Sequence, residues 1–227
     1  MATNPQQTGR PTDRRTDALS KERIVEAATA ILDAGGEGAL TFRALAARLA
    51  TGSGAIYWHV DNKQALLAAA ANDVVARVMT GVAGGADPRE ALRALALGVF
   101  DAIDAHPWVG AQLSREPWQS AMLQIVEGIG GRLQALGVPE RAQSDAASAL
   151  VHYVLGVAGQ NAANARLLPR GTSRSAFLAA VAARWAQLDP AEYPFVHREA
   201  AHLPGHDDRA QFLAGLDLIL AGIATVR

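Results

Sequence analysis

An all-α fold is what this 227-residue sequence predicts. Apolar residues recur every three or four positions along most of the chain, and no segment alternates apolar and polar residues for long enough to make a strand. The apolar stretches are also punctuated by helix caps and helix stops. Half the residues are hydrophobic and 19% are charged, which allows a sizeable core and argues against global disorder.

Residues 1–19 are polar, contain prolines and are expected to form a flexible arm. Ser20 is the N-cap of a first helix carrying Ile24, Ala27/Ala28 and Ile31, with Glu22 in its positive first turn. Gly35 and Gly36 stop it. Thr41 caps a second helix with Phe42, Leu45, Ala46 and Leu49 on its apolar face. After Ala50-Thr51-Gly52, a third helix of barely two turns runs from Ser53 to about His59. Asp61-Asn62 breaks it, and Lys63 opens a longer fourth helix through Leu66, Leu67, Ala70, Val74 and Val78. Beyond a Gly/Asp/Pro linker (Gly81–Pro88), Leu92, Leu95/Ala96, Val99 and Ile103 line a helix that ends at His106-Pro107. Pro117 suits the first turn of the next, through Met122, Ile125, Ile129 and Leu133, stopped by Gly137. Pro139 opens a long helix to about Leu168, closed by Pro169. Ser175–Leu188 is another. Asp189–Asp207 reads as a proline- and histidine-rich loop. Asp208 with Gln211 resembles a capping box before Phe212, Leu216, Ile219 and Ile223. The organisation predicted is an arm (1–19), a three-helix unit (20–65) and a larger helical body (66–227), joined by the helix that starts near residue 63.

Composition narrows the function. There is no cysteine, which leaves no disulfide framework and no thiolate ligand or nucleophile. The polar start, with Arg10, Arg14 and Arg15, is not a signal peptide. The longest uncharged run, Ala146–Ala165, is interrupted by His152, Tyr153, Gln160, Asn161 and Asn164, so it reads as a buried helix and not a membrane span. A cytoplasmic protein without membrane contact is expected. Net charge is −1. Residues 1–65 hold eight basic and seven acidic residues, a balance that would not by itself suggest a nucleic-acid partner.

The residues between Thr41 and Lys63 do suggest one. Two short helices joined by a three- or four-residue turn make a helix-turn-helix, whose second helix lies in the DNA major groove. In Ser53–His59, Ile56 and Val60 share the inward face. Ser53 and Tyr57 share an outward one, with Gly54 beside them, where backbone can approach a groove closely. Tyr57, His59 and Lys63 can reach phosphates, and Arg43 can reach a phosphate or a base edge. Trp58 is expected to pack.

The segment "LTFRALAARLATGSGAIYWHVDNKQALL" (Leu40–Leu67) resembles the DNA-binding part of the TetR family of transcriptional repressors, in particular the tetracycline-repressor branch. The match spans Ser20 to about Val75. "FLAGLDLILAGI" (Phe212–Ile223) is similar to that branch's closing helix. The resemblance implies a homodimer bound to a palindromic double-stranded DNA operator, and a small-molecule pocket in the C-terminal domain that releases it. By position, Arg43, Ser53, Gly54, Ala55, Tyr57, His59 and Lys63 match the family's DNA-contacting sites. The chain departs from the pattern at Ala50, where the family turn carries glycine, and at Thr51, where it carries an apolar residue. Gly54 and Ala55 are smaller than the usual base-facing residues.

Tyr153, Val157, Gln160 and Asn164 form one stripe on the long helix, at i, i+4, i+7 and i+11. They either line a ligand pocket or bond to backbone, water or a partner chain. In the pocket reading, Trp108 or Trp118 are apolar walls and His106 or His152 further polar groups, and the ligand is a flat, moderately polar organic molecule. The apolar faces of Glu140–Leu168 and Asp208–Val226 suit either monomer core or a dimeric four-helix bundle; the family resemblance favours the homodimer. No cofactor is expected. His197, His202, His206 and Asp207, with Glu199 nearby, are the one cluster of metal-ligand types, but Pro204-Gly205 interrupts it and solvated loop histidines are expected, with no metal. No nucleophile elbow, phosphate loop or zinc-protease helix is present, so an enzyme is not expected. The competing readings are a helical ligand-binding protein or enzyme that does not use its N-terminal unit for DNA, and a dimerising adaptor.

Overall fold

The chain is described by a computed structural model over residues 19–82, 87–115, 118–167 and 171–226. The expected N-terminal arm up to residue 18, most of the Gly/Asp/Pro linker, the Pro117 helix start and the Leu168-Pro169 helix end lie outside those residues. Among the described residues there are eleven α-helices, one 3₁₀ turn and no strand. The chain divides into two compact units, one ending at Ala70 and one beginning at Ala71. The division falls within a single helix.

The first unit holds α1 (Lys21–Ala39), α2 (Phe42–Arg48), α3 (Ser53–Tyr57) and the start of α4 (Lys63–Gly81). Ser20 caps α1 by accepting from the Arg23 amide, and Thr41 caps α2 by accepting from Ala44. Hydrogen bonds from its own backbone and from Ser20 hold the Glu22 carboxyl below the usual range. At Gly36 the backbone turns to φ 67°, so the regular part of α1 stops where the glycine pair predicts and one further turn follows. Ile24, Ala28, Leu32, Leu40, Leu45, Ile56, Leu66 and Leu67 are sealed from solvent and form the core of this unit. α1 packs on α2, and α2 on α3. The cores of both helices of the motif thus rest on inward residues at three- and four-residue spacing.

In the second unit, α5 (Pro88–Ala105), α7 (Ser120–Ala135) and α8 (Glu140–Arg166) pack on one another around Leu92, Leu95, Val99, Ile103, Ile125, Ile129, Leu133, Leu150 and Val154. α6 (Pro107–Arg115) lies on α5 and α8, and α11 (Asp208–Ile223) on α8 and α5. α7 ends in a Schellman motif. Val138 N–H reaches Leu133 O (3.1 Å), Gly137 N–H reaches Gln134 O (2.9 Å), and Gly137 takes φ 74°. Arg93 on α5 grips Asp217 on α11 with two hydrogen bonds (3.0 and 3.1 Å), and Arg209 on α11 grips Asp101 on α5 (3.2 and 3.3 Å).

Three expectations need correcting here. His106-Pro107 does not only end a helix. Pro107, whose missing N–H costs nothing at a helix start, begins α6. The stretch 189–207 is not one loop, because it contains α10 (Pro194–Glu199) and the 3₁₀ turn Leu203–Gly205, against which α9 (Arg174–Trp185) packs. The cap of α11 is Asp207, one residue before the expected position. Its Oδ1 accepts from Arg209 (2.9 Å) and Ala210 (3.0 Å), whereas Asp208 pairs with Arg174 and His206.

Candidate nucleic-acid interface and ligand cavity

α2 ends like α7, in a Schellman motif. Thr51 N–H reaches Ala46 O (3.0 Å) and Ala50 N–H reaches Ala47 O (3.3 Å). The residue that takes the left-handed turn is Ala50, at φ 52°. The turn therefore keeps the glycine-type backbone and places an alanine in it. That geometry brings α3 out of the turn with Ile56 fully buried beneath it. Ser53, Gly54, Ala55, Tyr57 and His59 are all exposed, as is Arg43 on α2. A Cβ added to Gly54 would meet nothing within 4 Å, so this face is open space in front of bare backbone.

One residue differs from expectation. Trp58 does not pack: it is 90% exposed and so stands on the outward surface beside Tyr57 and His59. Trp58 lies two residues from both Ile56 and Val60, about 200° round the helix and so opposite their inward face, and aromatic size alone suggested burial. Tyr57, 53% exposed, lies flat on Phe42, with ring centroids 4.3 Å apart and planes 10° apart. Phe42 thus fixes the direction in which the phenol presents its hydroxyl. Lys63 is half-buried, and its ammonium donates to Glu37 O (2.7 Å) at the end of α1. Asn62 caps α4 through the Ala65 amide (2.8 Å).

The second unit contains a cavity of about 690 Å³ between α6, α7 and α8, within the range of small-molecule sites. Leu113, Met122, Val126, Val151 and Leu155 supply apolar walls, and Ser114, Ser144, Ser148 and His152 supply polar groups. Of the residues that the sequence suggested for a pocket, His152 alone is in this lining. Tyr153 points elsewhere. It donates to Phe212 O (2.9 Å) and stacks on the Phe212 ring (5.5 Å), which stacks in turn on Phe100 (4.4 Å). Burial raises the Tyr153 phenol above its usual range. Val157 and Asn164 are half-buried and Gln160 is exposed. Trp108 is buried edge-on to His106, and Trp118 is 73% exposed and walls nothing in the cavity. The stripe of α8 that lines the cavity is one position behind the expected one, at Ser144, Ser148 and His152. Among the described residues no three His, Asp or Glu side chains converge as a metal site would need, and no helix is long and apolar enough to cross a membrane.

A three-helix unit with an exposed second motif helix, continued into a helical unit with a drug-sized cavity, is built as a transcriptional regulator. Comparison with known proteins gives the family. Residues 24–70 match the bacterial regulatory proteins of the tetR family, and residues 83–227 match the tetracyclin repressor-like C-terminal domain. The chain belongs to the TetR family of transcriptional regulators and is not an enzyme. It is 30% identical to an HTH-type transcriptional regulator of Saccharopolyspora erythraea, over 93% of this chain and 87% of that one. A solved TetR transcriptional regulator of Streptomyces coelicolor is 50% identical, with a TM-score of 0.83 over 92% of this chain and 99% of its own. The Streptomyces coelicolor protein ActR in complex with actinorhodin shares the fold at 24% identity, with a TM-score of 0.73 over 90% of this chain and 95% of its own.

Proposed function

We propose that the chain is a ligand-responsive repressor that binds a palindromic operator as a homodimer and leaves it when a small organic effector fills the α6–α7–α8 cavity. The observation that carries the DNA reading is the open outward face of α3, with Ser53, Gly54 and Ala55 exposed, empty space at the Gly54 Cβ position and Tyr57 braced by Phe42. Small residues let the helix sit deep in a major groove, and Tyr57, Trp58, His59 and Arg43 ring that face as phosphate or base contacts. Lys63 is assigned a phosphate contact too, with part of its donor capacity already engaged by Glu37.

The dimer reading is supported by α11. It is apolar nearly all round, and Leu218 is 75% exposed on it, although a helix of that kind belongs in an interior. A second copy of α8 and α11 would cover this face as a four-helix bundle. Release follows from linkage. An effector that binds one state of the dimer better than the other shifts the population toward it, and operator must then weaken effector binding by the same factor. The test is a gel shift on DNA flanking the protein's own coding region. A discrete complex that survives excess unrelated DNA supports the reading; binding that excess unrelated DNA removes completely refutes it.

A further inference from the structure

Three of the cavity's four polar groups are arranged in a line, and the four carry no charge of fixed sign. Ser144, Ser148 and His152 follow one another at four-residue intervals along α8, so successive groups lie about 6 Å apart along the helix. Ser148 Oγ and His152 Nδ1 are hydrogen-bonded (3.1 Å), which turns the imidazole so that Nε2 remains for a ligand. Ser144, Ser148 and His152 are exposed, at the mouth; Leu113 and Met122 are buried, at the back. Ser114 Oγ is bonded to Gly110 O (2.9 Å) and keeps acceptor capacity. Among the described residues, no Asp, Glu, Lys or Arg lines the cavity.

Accepting the cavity as the effector site, we infer the class of effector: an uncharged, rigid organic molecule with an apolar body and hydroxyl or carbonyl oxygens along one edge. The body lies on Leu113, Met122 and Val126, and the oxygenated edge runs along Ser144, Ser148 and His152. An ionised ligand would give up its hydration to a lining that offers no counter-charge. A wholly apolar ligand would strip water from three polar groups and pair none of them.

Three probes separate these cases: 1,8-dihydroxyanthraquinone, which carries three of its four oxygens on one edge; the anionic anthraquinone-2-sulfonate; and the apolar N-phenyl-1-naphthylamine. Binding to the full chain is followed by tryptophan quenching and calorimetry. Wild type is expected to bind the dihydroxy compound at least tenfold more tightly than the other two. Ser148→Ala and His152→Phe should each weaken that probe roughly three- to tenfold, the effect of one neutral hydrogen bond, and leave N-phenyl-1-naphthylamine unchanged. Gly156→Phe should exclude every probe. Gly156 lies in the lining and a Cβ there meets nothing within 4 Å, so the added ring is expected to occupy the cavity, and an unchanged urea midpoint shows that the variant is folded. If the sulfonate binds as well as the dihydroxy compound, or if neither Ser148→Ala nor His152→Phe shifts its affinity, the inference about ligand class is wrong while the cavity stands as the site. If no probe binds wild type, or if Gly156→Phe binds like wild type, the cavity is not the effector site and both readings fall.

Discussion

At the scale of single residues, Ala50 shows most clearly what a backbone demands of a side chain. A left-handed residue with a Cβ costs about 1–2 kcal/mol, and glycine returns roughly 0.5–1 of that as unfolded-state entropy. Ala50→Gly is therefore expected to stabilise the chain by about 0.5–1 kcal/mol in urea unfolding; a loss of stability would show that the turn does not hold φ 52° in solution. Sequence made this visible, because glycine is the usual residue at that place in the resembling family. It could not show that the glycine geometry persists without glycine. Gly54 is the opposite case. Its Cβ direction is empty, so Gly54→Val should change the unfolding midpoint little yet weaken operator binding at least tenfold by holding the backbone off the groove. Equal operator affinity for Gly54→Val and wild type would mean that α3 does not enter the groove there.

At the scale of elements, the caps at Ser20 and Thr41 were legible as short polar residues before a periodic run, whereas Asn62, Asp87 and Ser173, which also cap helices, were not read as caps. Adjacent aspartates at 207 and 208 defeated the same rule by one residue. Either can cap, and the choice is made by Arg174 and His206, which take Asp208. Asp207 has a measurable signature. The Ala210 amide, then the Arg209 amide, hold its carboxyl below the usual range. A lowered folded-state value means that the stabilisation is present above the unfolded carboxylate range, near pH 4, and is lost as pH falls through the folded value. Asp207→Ala should thus be less stable than wild type at neutral pH, and the gap should narrow as the solution is acidified below about pH 4. A gap that widens there would contradict the cap. Tyr153 shows why the ligand stripe could not be chosen from the helix alone. Periodicity fixes which residues share a face, but not whether that face meets a cavity or a ring 59 positions later in the chain. Gly215 belongs to the same stack, since a Cβ there would lie 2.1 Å from the Tyr153 hydroxyl oxygen. Gly215→Ala is expected to destabilise by about 1–3 kcal/mol, the range for overpacking a tight contact. A change of less than a few tenths in urea unfolding would show the stack to be loose.

At the scale of the whole molecule, the all-α class, the helix-turn-helix and the family were legible because each is carried by local spacing and a contiguous motif. The cavity was not, since it is made by three helices from separate stretches and one of them, α6, hid behind a proline that reads equally as a stop. The proposed dimer belongs to this scale, and light scattering at micromolar concentration should give twice the mass of one chain; a single chain's mass would leave Leu218 and its apolar neighbours unexplained. The central claim is that the outward face of α2 and α3 binds operator DNA. Fluorescence anisotropy on the flanking DNA across a salt series, for wild type, Arg43→Ala and Tyr57→Ala, tests it most directly. The expected result is tight binding that weakens steeply with salt, a loss of at least tenfold for Tyr57→Ala and, with Arg43 on a phosphate, a salt slope about one unit shallower for Arg43→Ala. Wild-type affinity and slope in both variants would contradict it.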